Sequence, residues 1–146
     1  MAFQSESGTI RWKLHCNSTP KKVFDALATN EGRAGFWAES AIEKDDVITF
    51  TILGYEPYRG RIIKRVPPTL YRVEYFGSIV DFTLEENSNG GTGLTLVATN
   101  VDESFRMEMT AGWVSVLMAM KAYVDHGVDL RNHDKNRTWS AGYVDN

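Results

Sequence analysis

A thiol beside an imidazole can become a thiolate nucleophile, so His15 and Cys16 are the first residues in this chain to suggest catalysis. The surrounding segment, GTIRWKLHC at 8–16, places Ile10, Trp12, Leu14 and Cys16 in alternation with Arg11, Lys13 and His15. That is the period of a half-buried strand, whose neighbouring side chains point to opposite faces. The imidazole therefore does not reach the adjacent thiol, and Cys16 reads as a buried, inert residue.

A second group of donors is Asp125, His126, Asp129, His133 and Asp134. Their spacing matches none of the compact helical ligand patterns, and no cysteine or third histidine joins them, so no metal is expected. A solvated helix end with Gly127 as its C-cap accounts for them. The stretch NSNGGTG at 87–93 lacks the Lys-Ser/Thr of a phosphate loop and leads into a strand, which makes it a hairpin turn. Arg59, Arg61 and Arg65 are expected on the outer face of one strand, with Arg72 and Glu74 on the next. Cross-strand pairing with glutamates explains such a strip without nucleic acid. Glu39, Asp81 and Glu85 read as rim or outward residues, so no catalytic residue and no cofactor is assigned.

These groups are positioned by a regular series of elements. Thr19 followed by Pro20 is an N-cap with proline at the first helical position, and Val23, Phe24 and Leu27 share a face of the short helix behind it. The segment 30–38 carries Phe36 and Trp37 on a second, broken helix. From Glu39 to Thr99 the pattern turns to period two, with the turn Asp45-Asp46 and the breaker Pro67-Pro68, and short connections imply an antiparallel meander. A long helix then runs from about Ser104 to His126, with Trp113, Val116, Leu117, Met120 and Val124 as an apolar stripe. At 1.5 Å per residue it is about 35 Å long, enough to cover a whole sheet. Gly112 inside that helix predicts a close backbone approach. The order is strand, two short helices, six strands and one long helix. The expectation is therefore an α+β fold in which a seven-stranded curved antiparallel sheet wraps around a long C-terminal helix.

The 146 residues predict one domain, 1–146, with 129–146 as a polar C-terminal extension. The formal net charge of -3 disfavours nucleic acid and anionic lipid as partners. No run of about eighteen apolar residues exists, so no membrane span is expected. One cysteine and an N-terminus without a basic stretch and apolar core predict a cytoplasmic location.

The element order resembles the helix-grip fold of the START-like, birch-pollen-allergen-like (SRPBCC) superfamily. Within it the chain is similar to the activator of heat-shock-protein-90 ATPase family. The likeness rests on STPKKVFDAL at 18–27, Phe36-Trp37, YRGRIIKRVPPTL at 58–70 and GGTGLTL at 90–96. Gly112-Trp113, Leu117, Lys121 and Gly127 complete it. The resemblance implies a pocket for apolar or amphipathic small molecules, with no shared catalytic set. The seven residues before the first strand leave no room for the additional N-terminal domain of eukaryotic chaperone activators, so the resemblance points to the fold more than to chaperone activation.

The candidate ligand-binding residues are Trp37, Phe50, Tyr71, Tyr75, Phe82, Met109, Trp113, Leu117 and Met120, with Met107 and Tyr123 also expected to face the gap between helix and sheet. Core packing explains such residues, and so does a pocket, because thioethers adapt and tyrosine hydroxyls can orient a polar group. Three functions remain open. The first is a carrier or sensor of a hydrophobic small molecule. The second is an interaction module for a chaperone or other protein, which predicts an exposed apolar patch. The third is an aromatase/cyclase-like enzyme, which needs an acid or base deep in the gap.

Overall fold

The structure, a computed structural model, describes residues 3–146. Strand β1 (Ile10–Cys16) is followed by α1 (Pro20–Ala28) and α2 (Asn30–Phe36). Six strands come next: β2 (Ser40–Lys44), β3 (Val47–Thr51), β4 (Tyr58–Val66), β5 (Leu70–Tyr75), β6 (Ser78–Glu86) and β7 (Thr92–Thr99). A single 3₁₀ turn, Glu103–Phe105, enters the long helix α3 (Arg106–His126). The sheet order is β1-β7-β6-β5-β4-β3-β2, with every neighbouring pair antiparallel. This is the expected seven-stranded α+β helix-grip arrangement.

Local chemistry explains each join. The Thr19 side chain accepts from the Lys22 amide and Pro20 opens α1, as expected. Gly127 ends α3 in the left-handed conformation with φ 65°. Asp125 is no ligand-in-waiting: its side chain is 1% exposed and accepts from the Asn17 amide (2.9 Å), the Ser18 amide (3.0 Å) and the Ser18 hydroxyl (2.7 Å). Burial acts to raise this carboxyl, but those bonds outweigh it and hold it below the usual range. The end of α3 is thereby fastened to the loop between β1 and α1. Cys16 lies buried beside it, with its thiol pushed up to about 11 by burial and by Asp125.

The inward rows of the strands, from Ile10 and Cys16 through Phe82, Leu94 and Leu96, pack against Trp113, Leu117, Met120 and Val124 of α3. Gly35 of α2 is required by close packing, since a Cβ there would collide with the Tyr123 ring. Two expectations change. A bulge between Ile62 and Lys64 shifts the register, so Arg65 faces Tyr71 across the ladder and turns to the inner side. There it pairs with Glu43 at 2.7 Å, while Arg72 on the outer face pairs with Asp81, and Glu74 accepts from the Tyr58 hydroxyl. Met107 is 86% exposed and points away from the sheet.

Arg33 is 0% exposed, an uncommon place for a charged side chain. Its guanidinium donates to the carbonyls of Ala41 (3.1 Å) and Leu27 (3.0 Å), to Asn30 Oδ1 (2.7 Å) and, at 3.4 Å, to the Tyr71 hydroxyl. Asn30 Oδ1 also accepts from the Glu43 amide. Arg33 thus joins the two short helices to the sheet edge.

Candidate functional site

Helix α3 carries two apolar rows. One, Trp113, Leu117, Met120 and Val124, is buried in the core. The other is displaced by part of a turn and consists of Met109, Gly112, Val116 and Ala119, which line a cavity of about 740 Å³. Gly112 and Ala119 are both small and stand two turns apart, so this side of the helix leaves space where larger side chains would fill it. A Cβ at Gly112 meets nothing within 4 Å. The glycine is therefore open to the cavity and does not mark the close backbone approach expected for it.

The opposite wall comes from the end of α2 (Phe36, Trp37, Ala38), the segment after β3 (Ile52, Leu53, Tyr55) and the β5–β6 turn (Tyr75, Phe76, Gly77). Trp37, Tyr75 and Trp113 form a triangle of rings, with centroids 5.4 Å apart for Trp37–Tyr75, 5.4 Å for Tyr75–Trp113 and 6.0 Å for Trp37–Trp113. Such separations suit edge-on and tilted aromatic contacts. Burial pushes the Tyr75 hydroxyl far above its ordinary value, so it stays protonated, with the Trp37 indole N–H opposing slightly. The indole N–H is buried and, among the described residues, has no partner at hydrogen-bonding geometry.

Of the nine residues expected to bind a ligand, Trp37, Tyr75, Met109 and Trp113 line this cavity. Phe50 and Phe82 stand behind it, packed on Trp37 at 5.0 and 5.7 Å. Tyr71 lies elsewhere, against Phe24 and Arg33, and Leu117 and Met120 are core residues. Sequence reasoning misses the mouth, where Tyr55, Phe76 and Phe105 are half-exposed, and misses the C-terminal segment beside it.

That segment folds back. Arg131 donates to the carbonyls of Ala34 and Ala38 at the end of α2, Trp139 donates through its indole N–H to Glu108 Oε1 (3.1 Å), and Ser115 donates to the carbonyl of Val144 (2.6 Å). The hydroxyls of Tyr55 and Ser140 meet at 2.6 Å. Arg131, Trp139 and Asn146 complete the cavity lining. The lone tryptophan in an otherwise polar tail is the available signal, because so large an apolar surface favours a partner.

His133 bridges Asp129 Oδ2 (2.7 Å) and Glu39 Oε1 (2.6 Å) at the same edge. Its pKa is raised above 6.5, first by the bond to Asp129 and then by that to Glu39. For Asp129, burial acts upward, but bonds from Arg131 and His133 prevail and hold it at about 2. A raised histidine pKa adds stability that is complete below the unfolded value near 6.5 and fades as pH climbs through the folded value. Protease nicking of 129–146 should therefore increase over that window, and an NMR titration should place His133 above 6.5. A midpoint at or below 6.5 would show that the bridge does not form. Among the described residues no three His, Cys, Asp or Glu side chains converge as metal ligands. No helix among them is long and apolar enough to cross a membrane.

Residues 17–125 match the family model described as Activator of Hsp90 ATPase homolog 1-like protein. No curated protein sequence matches the chain. Among solved structures, protein SSP2350 from Staphylococcus saprophyticus is similar with TM-score 0.73 and 25% identity, covering 84% of this chain and 96% of that one. The Aha1 dimer from Colwellia psychrerythraea gives 0.73 and 20%, covering 82% and 97%. CalU16 from Micromonospora echinospora gives 0.66 and 20%, covering 80% and 73%. The segment that roofs the cavity lies beyond the residues matched by the family model.

Proposed function

The chain belongs to the Activator of Hsp90 ATPase homolog 1-like family, and from that premise we propose that it is a non-enzymatic binding protein for a hydrophobic or amphipathic small molecule. The observation that carries this reading is the cavity of about 740 Å³ walled by Trp37, Tyr75 and Trp113. Ligand sites are concave, mostly apolar and about 300–1,000 Å³, with a few polar groups that set orientation. This cavity fits that description. An enzyme would need an acid or base poised at depth. Here the carboxylates in the lining, Glu39, Asp102 and Glu108, belong to the rim, and the inner hydroxyl of Tyr75 is held protonated.

Gly112 offers a direct test. Gly112→Ala should retain binding and gain up to about 1 kcal/mol of stability, the usual helical advantage of alanine over glycine. Gly112→Trp projects an indole into the open space and should weaken binding by at least about tenfold, or 1.4 kcal/mol, with little change in melting temperature. Titration with apolar fluorophores, fatty acids and sterols, followed by tryptophan fluorescence, reads the difference. Undiminished binding in a stably folded Gly112→Trp protein would place the ligand elsewhere. Absence of any saturable binding would move attention to the exposed row Met107, Val114 and Met118 on the outward side of α3.

A further inference from the structure

We infer that the cavity selects a flat aromatic molecule whose outer end is positively charged. This rests on the binding reading above and adds a charge and an orientation to it. The inner wall is aromatic on several sides: Trp37, Tyr75 and Trp113 present ring faces and edges within about one ring's width of each other. Planar π-systems match such walls by stacked and edge-on contacts.

Charge at the mouth is lopsided. Glu39, Asp102 and Glu108 are set against Arg131 among the described lining residues. Arg131 is not free to receive an anion. Its guanidinium is held by Asp129 at 3.0 Å and donates to two backbone carbonyls, and its side chain is 7% exposed. Glu39 is partly offset by His133. Among the described residues Asp102 and Glu108 meet only neutral donors: Asp102 accepts from the amide and hydroxyl of Ser104, and Glu108 from the Trp139 indole. The mouth therefore carries uncompensated negative charge, which attracts cations and repels carboxylates or phosphates.

The interior sets the opposite preference. The buried Trp37 N–H has no acceptor, and the Tyr75 hydroxyl beside it stays protonated. An ammonium pushed inward would lose its water with no carboxylate beside it, since those of the lining stand at the rim. The uncharged end accordingly goes in and the cation remains at the mouth, beside Glu108 and Asp102.

An isostructural series separates the charge from the pocket: anthracene bearing a methylammonium, a hydroxymethyl or a carboxylate group. Each is titrated into the full-length protein at low and high salt, following energy transfer from tryptophan. The expected order is ammonium, then alcohol, then carboxylate, with about tenfold between the ends, and the gap should shrink as salt screens the mouth. In the Glu108→Gln, Asp102→Asn double variant the two ends should approach parity while the alcohol binds unchanged. The Glu108→Gln change keeps an amide oxygen for the Trp139 N–H, and circular dichroism confirms folding. Equal affinity for ammonium and carboxylate in the wild-type protein overturns this inference and leaves the binding reading standing. No binding of any of the three overturns it as well, and the binding reading falls with it only if fatty acids and sterols also fail to bind.

Discussion

Trp113→Ala is expected to lower unfolding stability by about 3–5 kcal/mol, the range for removing a large buried aromatic. The indole is 3% exposed and touches three other rings, Trp37, Tyr75 and Phe82, so its loss strips contacts from the inner wall and from the sheet together. The vacated volume adjoins an existing cavity of about 740 Å³, which leaves little reason for neighbours to collapse inward. Trp139→Ala is the matched control. That residue is half-buried and loses one indole hydrogen bond, to Glu108, worth about 1 kcal/mol. Parallel urea melts give both values, and equal losses would mean that the C-terminal segment is as integral to the core as α3 is.

A loss of about 2–6 kcal/mol is expected for Arg33→Met. Methionine replaces the stem of the side chain but none of its donors, orphaning the carbonyls of Ala41 and Leu27. Each unsatisfied buried group costs about 1–3 kcal/mol. Burial pulls the guanidinium below its ordinary value, and the Tyr71 hydroxyl and Glu43 act against that pull. Lysine should not rescue the site, because one ammonium cannot reproduce the planar fork that spans α1, β2 and Asn30. Equilibrium denaturation of Arg33→Met and Arg33→Lys checks this. Wild-type stability in either would show that the buried bonds contribute nothing net.

The contrast between Trp113 and Arg33 shows which parts of the molecule a linear pattern carries. Trp113 is legible because an apolar residue recurring with Leu117, Met120 and Val124 can satisfy itself in only one way, by facing the sheet. The strands are legible for the same reason, with inward rows such as Val80, Phe82 and Leu84 repeating at period two. Arg33 is not, since its burial depends on acceptors brought together from Leu27, Asn30 and Ala41, which no periodicity registers. Alternation extrapolated through Ile63 misplaces Arg65, because one extra residue there reverses the facing of all that follows.

The site is half legible. The pattern identifies Trp37, Tyr75, Met109 and Trp113 as inward residues, and they line the cavity, whereas Phe50, Tyr71, Phe82, Leu117 and Met120 share their hydrophobicity and lie off the cavity lining. What distinguishes the two sets is where space is left over. That is decided by absent volume at Gly112 and Ala119, and a residue that contributes nothing to packing leaves a weak mark in a hydrophobic pattern.

The folded-back segment from Asp129 onward bears on access as well as shape. Its attachments at Arg131, Ser115 and Trp139 are individual hydrogen bonds, each worth about 0.5–3 kcal/mol, with Thr138 resting against Gly54 between them. A strip held in this way detaches by local opening, far below the free energy of global unfolding. The part of the cavity wall that it supplies can thus move aside while the rest of the fold stays intact, widening the mouth between Tyr55, Phe76 and Phe105 for a larger molecule.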